Sequence, residues 1–341
     1  MANDLEWVGT GLRPGRKPKW GNACLRLVGR APRRQPAGCG DSTHSPCLWT
    51  AGRGQGSSGW REEVLDENPI CGACAGYVPT AGCCAPIGIL SLVTLVEEIE
   101  TPFGTINIFR NPVTGVTIYD VGGCHQSSSD DEGTSLASYI HAIFSLLTQA
   151  KAKNILIIGC GGGTLGTMLV RAQRKTTIVD IDPMSFTIAR NYFALHPSVV
   201  CHVADGEIFL RDEAQTYDAI VLDAFHGEDI PSHLQTPEFF DLVQKRLAPT
   251  GAVFANIRVK HDFDKGPDLV AKSMRTAWTD VRVLDAEGVC GRNAIVIAGQ
   301  VSKLREPKLL VRPKTDSQLI GFELERLRFR AWNVSRWAFG D

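Results

Sequence analysis

The pattern of apolar and polar positions shows no recognisable period in the first quarter of the chain and becomes regular from about residue 90 onward. Three short stretches there alternate or run apolar with turn residues between them, which predicts a small antiparallel sheet. A polar loop and an amphipathic helix are predicted to follow this sheet. The predicted strands are residues 92–99, 104–110 and 115–121, the loop is 122–132, and the helix runs from about 135 to 149.

The next feature is an apolar run that breaks directly into glycines, residues 154–163 with the sequence NILIIGCGGG. This order predicts a strand buried on both faces, then a tight turn, then a helix over 164–171 whose N-terminus faces the turn. Gly159, Gly161 and Gly163 allow the backbone to turn sharply and to approach a bound ligand. Similar turns serve flavins, nicotinamides and purely structural packing, so the turn alone does not identify the ligand.

The next three predicted strands are each followed by a carboxylate, namely Asp180, Asp205 and Asp223. Because the carboxyl ends of parallel strands meet at one edge of a doubly wound sheet, we expect these acids to lie close together. Asp180, about 20 residues past the glycines, suits the two hydroxyls of a ribose. Since the sequence places no Lys or Arg near the turn, the pattern favours a nucleoside without phosphates, such as an S-adenosyl compound. These strands are residues 176–179, 199–203 and 217–222.

The last part of the folded region predicts a parallel strand followed by a hairpin, which separates two classes of fold. A closing hairpin is typical of S-adenosylmethionine-methyltransferase folds, whereas a dehydrogenase would have a sixth parallel strand at this point. We therefore predict an α/β fold with a methyltransferase-like Rossmann sheet, mostly parallel with a terminal antiparallel hairpin, preceded by the small antiparallel β unit. The predicted elements are helix 237–247, strand 251–256, helix 267–278, strands 281–285 and 294–298, and a docking or surface helix 317–330.

Composition divides the 341 residues further. Residues 1–88 are rich in Gly, Pro, Arg, Ser and Cys without a helical or strand period, so we predict a disordered tail. Four cysteines of this tail are candidate zinc ligands, although their spacing matches no recognised finger. The predicted domains are the tail 1–88, the β unit 89–130, a nucleoside-binding catalytic domain 131–300, and a C-terminal extension with a helix over 301–341. The four cysteines are Cys71, Cys74, Cys83 and Cys84.

Charge and hydropathy exclude some partners. The formal net charge of -1 gives no general attraction to nucleic acid, so we expect no nucleic-acid partner. Residues 68–96 carry no charge, but glycines, prolines and paired cysteines interrupt the run, so we expect no membrane span. The remaining cysteines are scattered single thiols rather than a disulfide framework, and the expected location is the cytoplasm.

The order of these motifs resembles the spermidine synthases, the polyamine aminopropyltransferases, over about residues 92–300. The resemblance rests on the β unit, a Gln-containing loop, a helix, the glycine turn, the Asp-Ile-Asp and Asp-Gly segments, and Asp223 at the end of Tyr-Asp-Ala-Ile-Val-Leu-Asp. The segments 223–227, DAFHG, and 230–239, IPSHLQTPEF, are similar to the bacterial spermidine-synthase-like branch. The resemblance also implies a homo-oligomer.

The chemistry that this resemblance implies is aminopropyl transfer from decarboxylated S-adenosylmethionine to a diamine or polyamine such as putrescine. Asp223 would accept the proton of the attacking amine, which must be neutral to act as a nucleophile. The sulfonium already activates the carbon, so neither a metal nor a permanently bound cofactor is implied. The implied contacts of the co-substrate are Asp180 at the ribose, with Ile181 next to it in sequence as a further contact, Asp205, Gly206 and Pro231 at the adenine, and Gly159, Gly161 and Gly163 along the turn.

The amine side departs from the family pattern. Gly162 stands where the family has an aspartate that helps to hold the amine, and His226 stands where it has a second acid. Gln126, Tyr139 and His226 are the candidate substrate contacts, and His233 is a further histidine in the same loop. Because each unpaired buried ammonium would cost several kcal/mol, other carboxylates are needed. The remaining candidates are Asp130, Asp131, Glu132, Glu228 and Asp229.

Three functions stay open on the sequence. An aminopropyltransferase is favoured by the resemblance and by Asp223. A methyltransferase that uses intact S-adenosylmethionine on a protein or a small amine is favoured by the absent amine-binding acids. The third is a nucleoside-binding protein without catalysis. The pocket beside Gly162 should distinguish the first two, because the methionine carboxylate needs a donor or free space there.

Overall fold

The computed structural model describes residues 93–333 of the chain. The predicted tail and its candidate zinc ligands lie outside these residues. The described part begins with a four-stranded antiparallel sheet in the order β1-β2-β3-β4. Its strands are β1 Thr94–Thr101, β2 Gly104–Arg110, β3 Thr117–Val121 and β4 Cys124–Ser129.

The fourth strand corrects the prediction of a polar loop over 122–132. Its sequence, CHQSSS, has no apolar alternation, and only pairing with β3 makes it a strand. The register shifts where Tyr119 faces Ser127 and Asp120 faces His125, which leaves Gln126 as a bulged residue. A bulge re-aims a side chain, and Gln126 and Ser127 both line the cleft described below.

The second sheet has eight strands in the order β7-β6-β5-β8-β9-β11-β10-β12. The first five of these are parallel, and β11, β10 and β12 add antiparallel pairs. This is the mostly parallel sheet with a closing hairpin that the sequence predicts, so the predicted fold class is confirmed. The strands are β5 Asn154–Ile158, β6 Lys175–Asp180, β7 Val200–Val203, β8 Tyr217–Leu222, β9 Leu247–Val259, β10 Val281–Asp285, β11 Arg292–Gly299 and β12 Arg328–Arg330.

Several helices begin where a local cap fixes them. Asp182, Asp205 and Thr236 each accept a backbone N–H of the first turn that would otherwise be unpaired, and Pro183 and Pro237 follow two of these caps. Short-range rules therefore predict these starts. The helices are α1 Ser138–Gln149, α2 Thr164–Arg171, α3 Pro183–Tyr192, α4 Gly206–Asp212, α5 Pro237–Lys245, α6 Gly266–Met274 and α7 Ser317–Arg326.

The eight-stranded sheet is covered on both faces. Helices α1, α2, α3 and α7 pack on one face, and α4, α5 and α6 pack on the other, each with its own buried apolar cluster. A third cluster joins the small sheet to α3 through Ile106, Ile108 and Tyr119 against Ile188 and Phe193. Through this contact with α3, the small sheet lies over the edge of the large sheet that is formed by the carboxyl ends of its parallel strands.

None of the helices in the described part of the chain has the length and hydropathy to span a membrane.

The C-terminal helix is shorter than predicted. It ends at Arg326 rather than at residue 330, and Arg328–Arg330 instead form β12 beside β10. Arg330 donates to both carboxylate oxygens of Asp268 and to Asp285, so a tertiary ion pair overrides the helical pattern. The helix itself packs against α1 with Ile320 and Leu324 buried.

Candidate active site

A cleft of about 510 Å³ opens at the carboxyl ends of β5, β6, β7 and β8, beneath the small sheet. The sheet order reverses between β5 and β8, which is the position where open α/β sheets bind their ligands. The co-substrate contacts, the proton acceptor and the substrate contacts that the resemblance implies all line this cleft, whereas the further candidate carboxylates for the amine do not. These contacts and the acceptor are Gln126, Tyr139, Gly159, Gly161, Gly163, Asp180, Ile181, Asp205, Gly206, Asp223, His226 and Pro231.

The glycine turn joins the ends of two strands so closely that a side chain cannot fit. Gly159 has a φ of +100°, and a Cβ atom there would collide with the carbonyl oxygen of Asp223. Gly163, at φ +66°, is the left-handed N-cap of α2. By contrast, a Cβ at Gly161 would have no neighbour nearer than 3.8 Å, the Cβ of Ser127. The backbone at Gly161 therefore faces open space in the cleft.

Asp180 fastens this turn from the end of β6. One carboxylate oxygen accepts the backbone N–H of Cys160 at 2.7 Å and the other accepts that of Asp182 at 2.8 Å. Burial raises the pKa of this carboxyl, and those two backbone N–H groups oppose the rise. Its predicted place on the cleft wall is observed, and it also holds the turn, a role that the sequence analysis missed.

The two carboxylate oxygens of Asp205 have different partners. Its Oδ1 accepts from the backbone N–H groups of Glu207 and Ile208 as the cap of α4, and its Oδ2 lies 2.8 Å from Nε2 of His233. Burial raises the pKa of Asp205, but the donors from Ile208 and His233 outweigh it, so the pKa lies below its usual value. His233, which the sequence gives only as a loop histidine, is thereby part of this wall.

Asp223 lies at the end of β8, partly exposed on the cleft wall. Its Oδ1 accepts from Nδ2 of Asn256 at 2.8 Å, and its Oδ2 faces the hydroxyl of Tyr139 at 3.4 Å. Burial raises the pKa of this carboxyl to about 7, while both hydrogen bonds oppose the rise. Burial also raises the pKa of Tyr139 well above its usual value, so the phenol stays protonated and donates.

Two asparagines beside Asp223 were missed by the sequence analysis. Asn256 on β9 is almost fully buried, and its Oδ1 accepts from Nδ2 of Asn293 on β11 at 3.0 Å. Asn256 is the polar residue that ends the predicted strand 251–256, the same signal that marked the acids of the other strands, although β9 continues to Val259. Asn293 has no comparable signal, because its contact depends on the pairing of β9 with β11.

The loop after β8 forms a small hairpin over the cleft. The backbones of His226 and Asp229 bond to each other, and Gly227 takes a φ of +66° between them. The side chain of Gln126 donates to the carbonyl of Gly227 at 3.2 Å. Gln126 and the loop that carries His226 are thus joined at the rim of the cleft, which both residues line.

The acidic loop predicted to offer carboxylates to the amine does not line the cleft. Asp131 and Glu132 pair with the ammonium of Lys314, and Asp130 is buried and accepts from the backbone N–H groups of Thr134 and Lys314. Their sequence proximity to the β unit does not bring them to the cleft, because the C-terminal extension binds them elsewhere. Glu228 and Asp229, the other candidates, line a neighbouring cavity of about 310 Å³.

The space beside Gly162, expected to distinguish two functions, is filled. A Cβ at Gly162 would lie 2.7 Å from the Phe193 ring and 2.9 Å from Oγ of Ser127. The residues that line the cleft include Gly161 and Gly163 but not Gly162. Phe193 therefore takes the place toward which the aspartate of the family would extend.

The ionisable lining of the cleft is mainly acidic. It comprises four carboxylates, two histidines, two tyrosines and a cysteine thiol, and burial raises the pKa of that thiol, Cys160, well above its usual value. Such a wall attracts a cationic ligand, and a partly buried carboxylate whose pKa is near 7 can accept a proton near neutral pH. The carboxylates are Asp180, Asp182, Asp205 and Asp223.

Fold and site together define the class of this chain: an α/β protein with a methyltransferase-like Rossmann sheet and an acidic cleft at its topological switch. Residues 138–261 match the family model described as the Spermine/spermidine synthase domain. The chain is 39% identical over 176 residues to a polyamine aminopropyltransferase of Vibrio vulnificus, covering 48% of this chain and 59% of that protein. The resemblance to the spermidine synthase family is therefore confirmed.

Other relatives agree at lower identity. A probable polyamine aminopropyl transferase of Bifidobacterium longum is 28% identical over 142 residues, covering 41% of this chain and 32% of that protein. The structure of a probable spermidine synthase from Corynebacterium glutamicum aligns with a TM-score of 0.58 at 20% identity, covering 72% of this chain and 95% of the other. Spermidine synthase from Thermotoga maritima aligns with a TM-score of 0.51 at 17% identity, over 67% and 83% of the two chains.

The structural neighbours support the fold, because their sequence identity is too low to carry more. The matched part of this chain spans between about a third and three fifths of the length of the first curated relatives.

Proposed function

We propose that this protein is an aminopropyltransferase that uses decarboxylated S-adenosylmethionine as the donor and a diamine or polyamine as the acceptor. The neutral amine nitrogen attacks the propyl carbon next to the sulfonium and forms a C–N bond. The C–S bond breaks, and its electron pair stays on sulfur in the leaving thioether, methylthioadenosine. The product nitrogen then releases one proton, which Asp223 accepts.

The observation that carries the proposal is the environment of Asp223. Its pKa of about 7 makes the carboxylate a stronger base than an ordinary aspartate, while a large fraction remains ionised near neutral pH. Asn256 and Tyr139 donate to its two oxygens and hold its orientation. Such positioning is the main contribution that a protein makes to a displacement whose electrophile is already activated.

The charge of the cleft supports the choice of donor. Decarboxylated S-adenosylmethionine carries a sulfonium and an ammonium, whereas the intact form adds a carboxylate. Among the described residues, the lining of the cleft holds four aspartates and neither a lysine nor an arginine. An acidic wall of this kind stabilises two positive charges and repels a carboxylate.

Nucleoside contacts are proposed where the sequence placed them. Asp180 lies at the ribose with Ile181 next to it in sequence, Asp205 and Gly206 lie at the adenine, and the turn glycines lie along the thioether. Pro231 lies beside the adenine. Gln126, Tyr139 and His226 lie on the acceptor side of Asp223. We propose a homo-oligomer on the same basis of resemblance.

A binding experiment distinguishes the aminopropyltransferase from the methyltransferase. Isothermal titration would compare decarboxylated S-adenosylmethionine, intact S-adenosylmethionine and methylthioadenosine with the full chain. We expect the decarboxylated ligand to bind most tightly and Asp180→Asn to weaken all three, with Asp241→Asn, at an exposed position on α5, as the matched control. The conservative Asn is preferable to Ala because Asp180 also holds the turn.

Turnover is the second test. With decarboxylated S-adenosylmethionine and putrescine, we expect methylthioadenosine and the aminopropylated amine in equal amounts, detected by mass spectrometry. The rate should rise through about pH 7 as Asp223 ionises, and rise further at higher pH as the acceptor amine loses its proton. Asp223→Asn should lower kcat about 10² to 10⁴-fold without loss of donor binding, and Asp241→Asn should leave kcat unchanged. Full activity of Asp223→Asn would exclude this carboxylate as the proton acceptor.

A methyltransferase remains the second candidate because Gly162 and His226 replace two acids of the family pattern. Tighter binding of intact S-adenosylmethionine, together with methyl transfer to an amine or protein and no aminopropyl product, would support that function instead. If none of the three ligands bound, both transferase proposals would fail.

A further inference from the structure

We propose that Asn293 and Asn256 form a relay of amide groups that fixes the Asp223 carboxylate in the orientation required for proton acceptance. Both are positioning residues in this proposal, since neither lines the cleft. The catalytic meaning of the relay rests on the proposed function. The hydrogen bonds of the relay can be tested without turnover.

The geometry begins in the register of two antiparallel strands. On β9 and β11, Asn256 faces Ile295 and Arg258 faces Asn293, so the two asparagines are diagonal neighbours across the strand pair. Nδ2 of Asn293 donates to Oδ1 of Asn256 at 3.0 Å, and Nδ2 of Asn256 donates to Oδ1 of Asp223 at 2.8 Å. The chain of donors runs in one direction, from the closing hairpin to the end of β8.

This direction fixes an amide that would otherwise be free to reverse. An asparagine has an acceptor and a donor end of nearly equal size, and either end fits a small pocket. Asn293 presents an N–H to the oxygen of Asn256, and the ionised Asp223 carboxylate, which can only accept, faces the nitrogen of Asn256. The two neighbours therefore favour the same orientation of the Asn256 amide. A reversed Asn256 would set its oxygen against the carboxylate, which favours the protonated and non-basic form.

The other groups around Asp223 do not duplicate this role. Tyr139 reaches it from α1 at 3.4 Å, a longer contact, and burial keeps that phenol protonated. His226 follows Asp223 in its own loop and lines the cleft. Arg258, also on β9, acts on the pKa of Tyr139. Among the described residues, the groups that lower the pKa of Asp223 against burial are Asn256 and then Tyr139.

The relay also has a structural alternative, in which the asparagines only satisfy each other inside a buried sheet. Buried polar groups are normally paired, so the contacts alone do not decide between the two. The alternative predicts a loss of stability on substitution but no specific change at Asp223. The proposal predicts a change in the pKa of Asp223 that passes from residue 293 through residue 256.

The test measures that pKa directly in the full chain. Protein labelled with ¹³C at the Asp carboxyl carbons is titrated by NMR, and Asp223→Asn identifies the signal. The variants are Asn256→Leu, Asn293→Asp and the double variant. Asn256→Leu removes the donor, and Asn293→Asp replaces it with an acceptor, which favours the reversed Asn256 amide. Arg258, directly across the strand pair, would keep the carboxyl group introduced at position 293 ionised.

We expect Asn256→Leu to raise the pKa of Asp223 by about 1 to 2 units, the value of a hydrogen bond to a charged group. Asn293→Asp should raise it by about 1 unit in the wild-type background and leave it unchanged in the Asn256→Leu background. In a relay, the effect of residue 293 on the pKa of Asp223 must disappear when Asn256 is absent. Residue 293 is half-buried, so we expect Asn293→Asp to fold. It therefore allows the pKa of Asp223 to be measured even if Asn256→Leu folds poorly.

Each other outcome overturns the relay. An unchanged pKa in Asn256→Leu would mean that Asn256 is structural. An unchanged pKa in Asn293→Asp would mean that Asn256 acts without Asn293. An equal shift in both backgrounds would mean that the new charge acts directly on Asp223. None of these readings requires transferase activity, so failure of the proposed function and failure of the relay are separate results.

Discussion

Asp223 combines a high cost of ionisation with a fixed geometry. Partial burial raises its pKa toward neutrality, whereas the Asn256 amide and the Tyr139 hydroxyl favour the ionised form. Burial is the larger effect, so the folded protein binds this proton more tightly than the unfolded chain does. A group that serves as a base near pH 7 therefore destabilises the fold at the pH at which it acts.

The raised pKa of Asp223 leads to a prediction about how the stability of the protein depends on pH. The folded pKa of about 7 exceeds the ordinary value of 3.8, so ionisation of Asp223 costs stability progressively from about pH 4 to 7 and fully above it. Asp223→Asn cannot ionise and should be more stable than the wild type at pH 8 by on the order of 2 kcal/mol, after discounting for partial exposure. The gain should shrink at pH 5.

Urea unfolding at the two pH values measures this difference. Asp241→Asn, on the exposed side of α5, is the control and should show no pH-dependent gain. A gain for Asp223→Asn that is equal at pH 5 and pH 8 would show that the carboxyl has an ordinary pKa in the folded state.

The element that most constrains the cleft is the turn between β5 and α2. Its glycines serve different purposes: Gly159 permits contact with the β8 end, Gly163 caps α2, and Gly162 packs against Phe193. The sequence shows all of them as one glycine-rich motif. Only packing reveals that position 162 cannot carry the family's aspartate without moving an aromatic ring.

A prediction about this turn concerns Gly162→Ala. The added Cβ would lie 2.7 Å from the Phe193 ring, so the ring or the turn must shift. We expect a loss of about 1 to 3 kcal/mol in the free energy of unfolding. Gly321→Ala, in the open space beside α7, should instead stabilise the protein by about 0.5 to 1 kcal/mol. A neutral Gly162→Ala would mean that space for a side chain exists there.

The closing hairpin is held by a buried ion network. Arg292 bonds both oxygens of Asp285, and Arg330 of β12 bonds both oxygens of Asp268 and also reaches Asp285. Burial raises the pKa of Asp285, but the two guanidinium groups outweigh it and hold the pKa below its usual value. This network attaches the C-terminal segment to the sheet that also carries Asn256 and Asn293.

The prediction for this network is that Arg330→Ala destabilises the protein by about 3 kcal/mol at pH 7, because it leaves two buried carboxylates with one fewer partner. A carboxyl whose pKa is depressed on folding contributes stability that is lost as the pH falls, so the effect of the substitution should diminish in acid. Lys314→Ala removes an exposed ion pair and should leave the unfolding midpoint unchanged. Urea unfolding of both variants at pH 7 and at about pH 3, below the ordinary pKa of 3.8, tests the contrast.

At the scale of the whole molecule, the chain order of the strands decides where the cleft lies. The chain runs from β5 outward to β7 and then returns to β8 on the other side of β5, which opens a crevice at the switch. The small sheet lies above that crevice and contributes Gln126 and Ser127 to it. The predictions for residues 1–88, including the zinc ligands, concern a region outside the described residues and stay predictions.

The sequence predicted the fold class and the glycines and aspartates at the strand ends that line the cleft, whereas its candidate carboxylates for the amine do not line it. Those predictions depend on short-range features: apolar runs that end in glycine or aspartate, and the rule that parallel strands end at one edge. The errors have a different origin. The edge strand β4 lacks apolar alternation, so it reads as a polar loop even though its partner β3 is only two residues away. Strand β12 replaces the end of a predicted helix because its partner β10 and the ion pair of Arg330 with Asp268 are distant in the chain.

Sequence by itself determined the glycine turn and the carboxylates at the strand ends, since each is encoded within a few neighbouring residues. The order of these motifs along the chain then carries the resemblance, which needs no knowledge of the fold. Only the tertiary structure decided which carboxylates face the cleft, that Phe193 fills the space beside Gly162, and that Asn293 reaches Asp223 through Asn256. Those facts depend on the register and packing of strands far apart in the chain. Local propensity contains no information about such distant partners, whereas the burial and hydrogen bonding that they create set the basicity of Asp223.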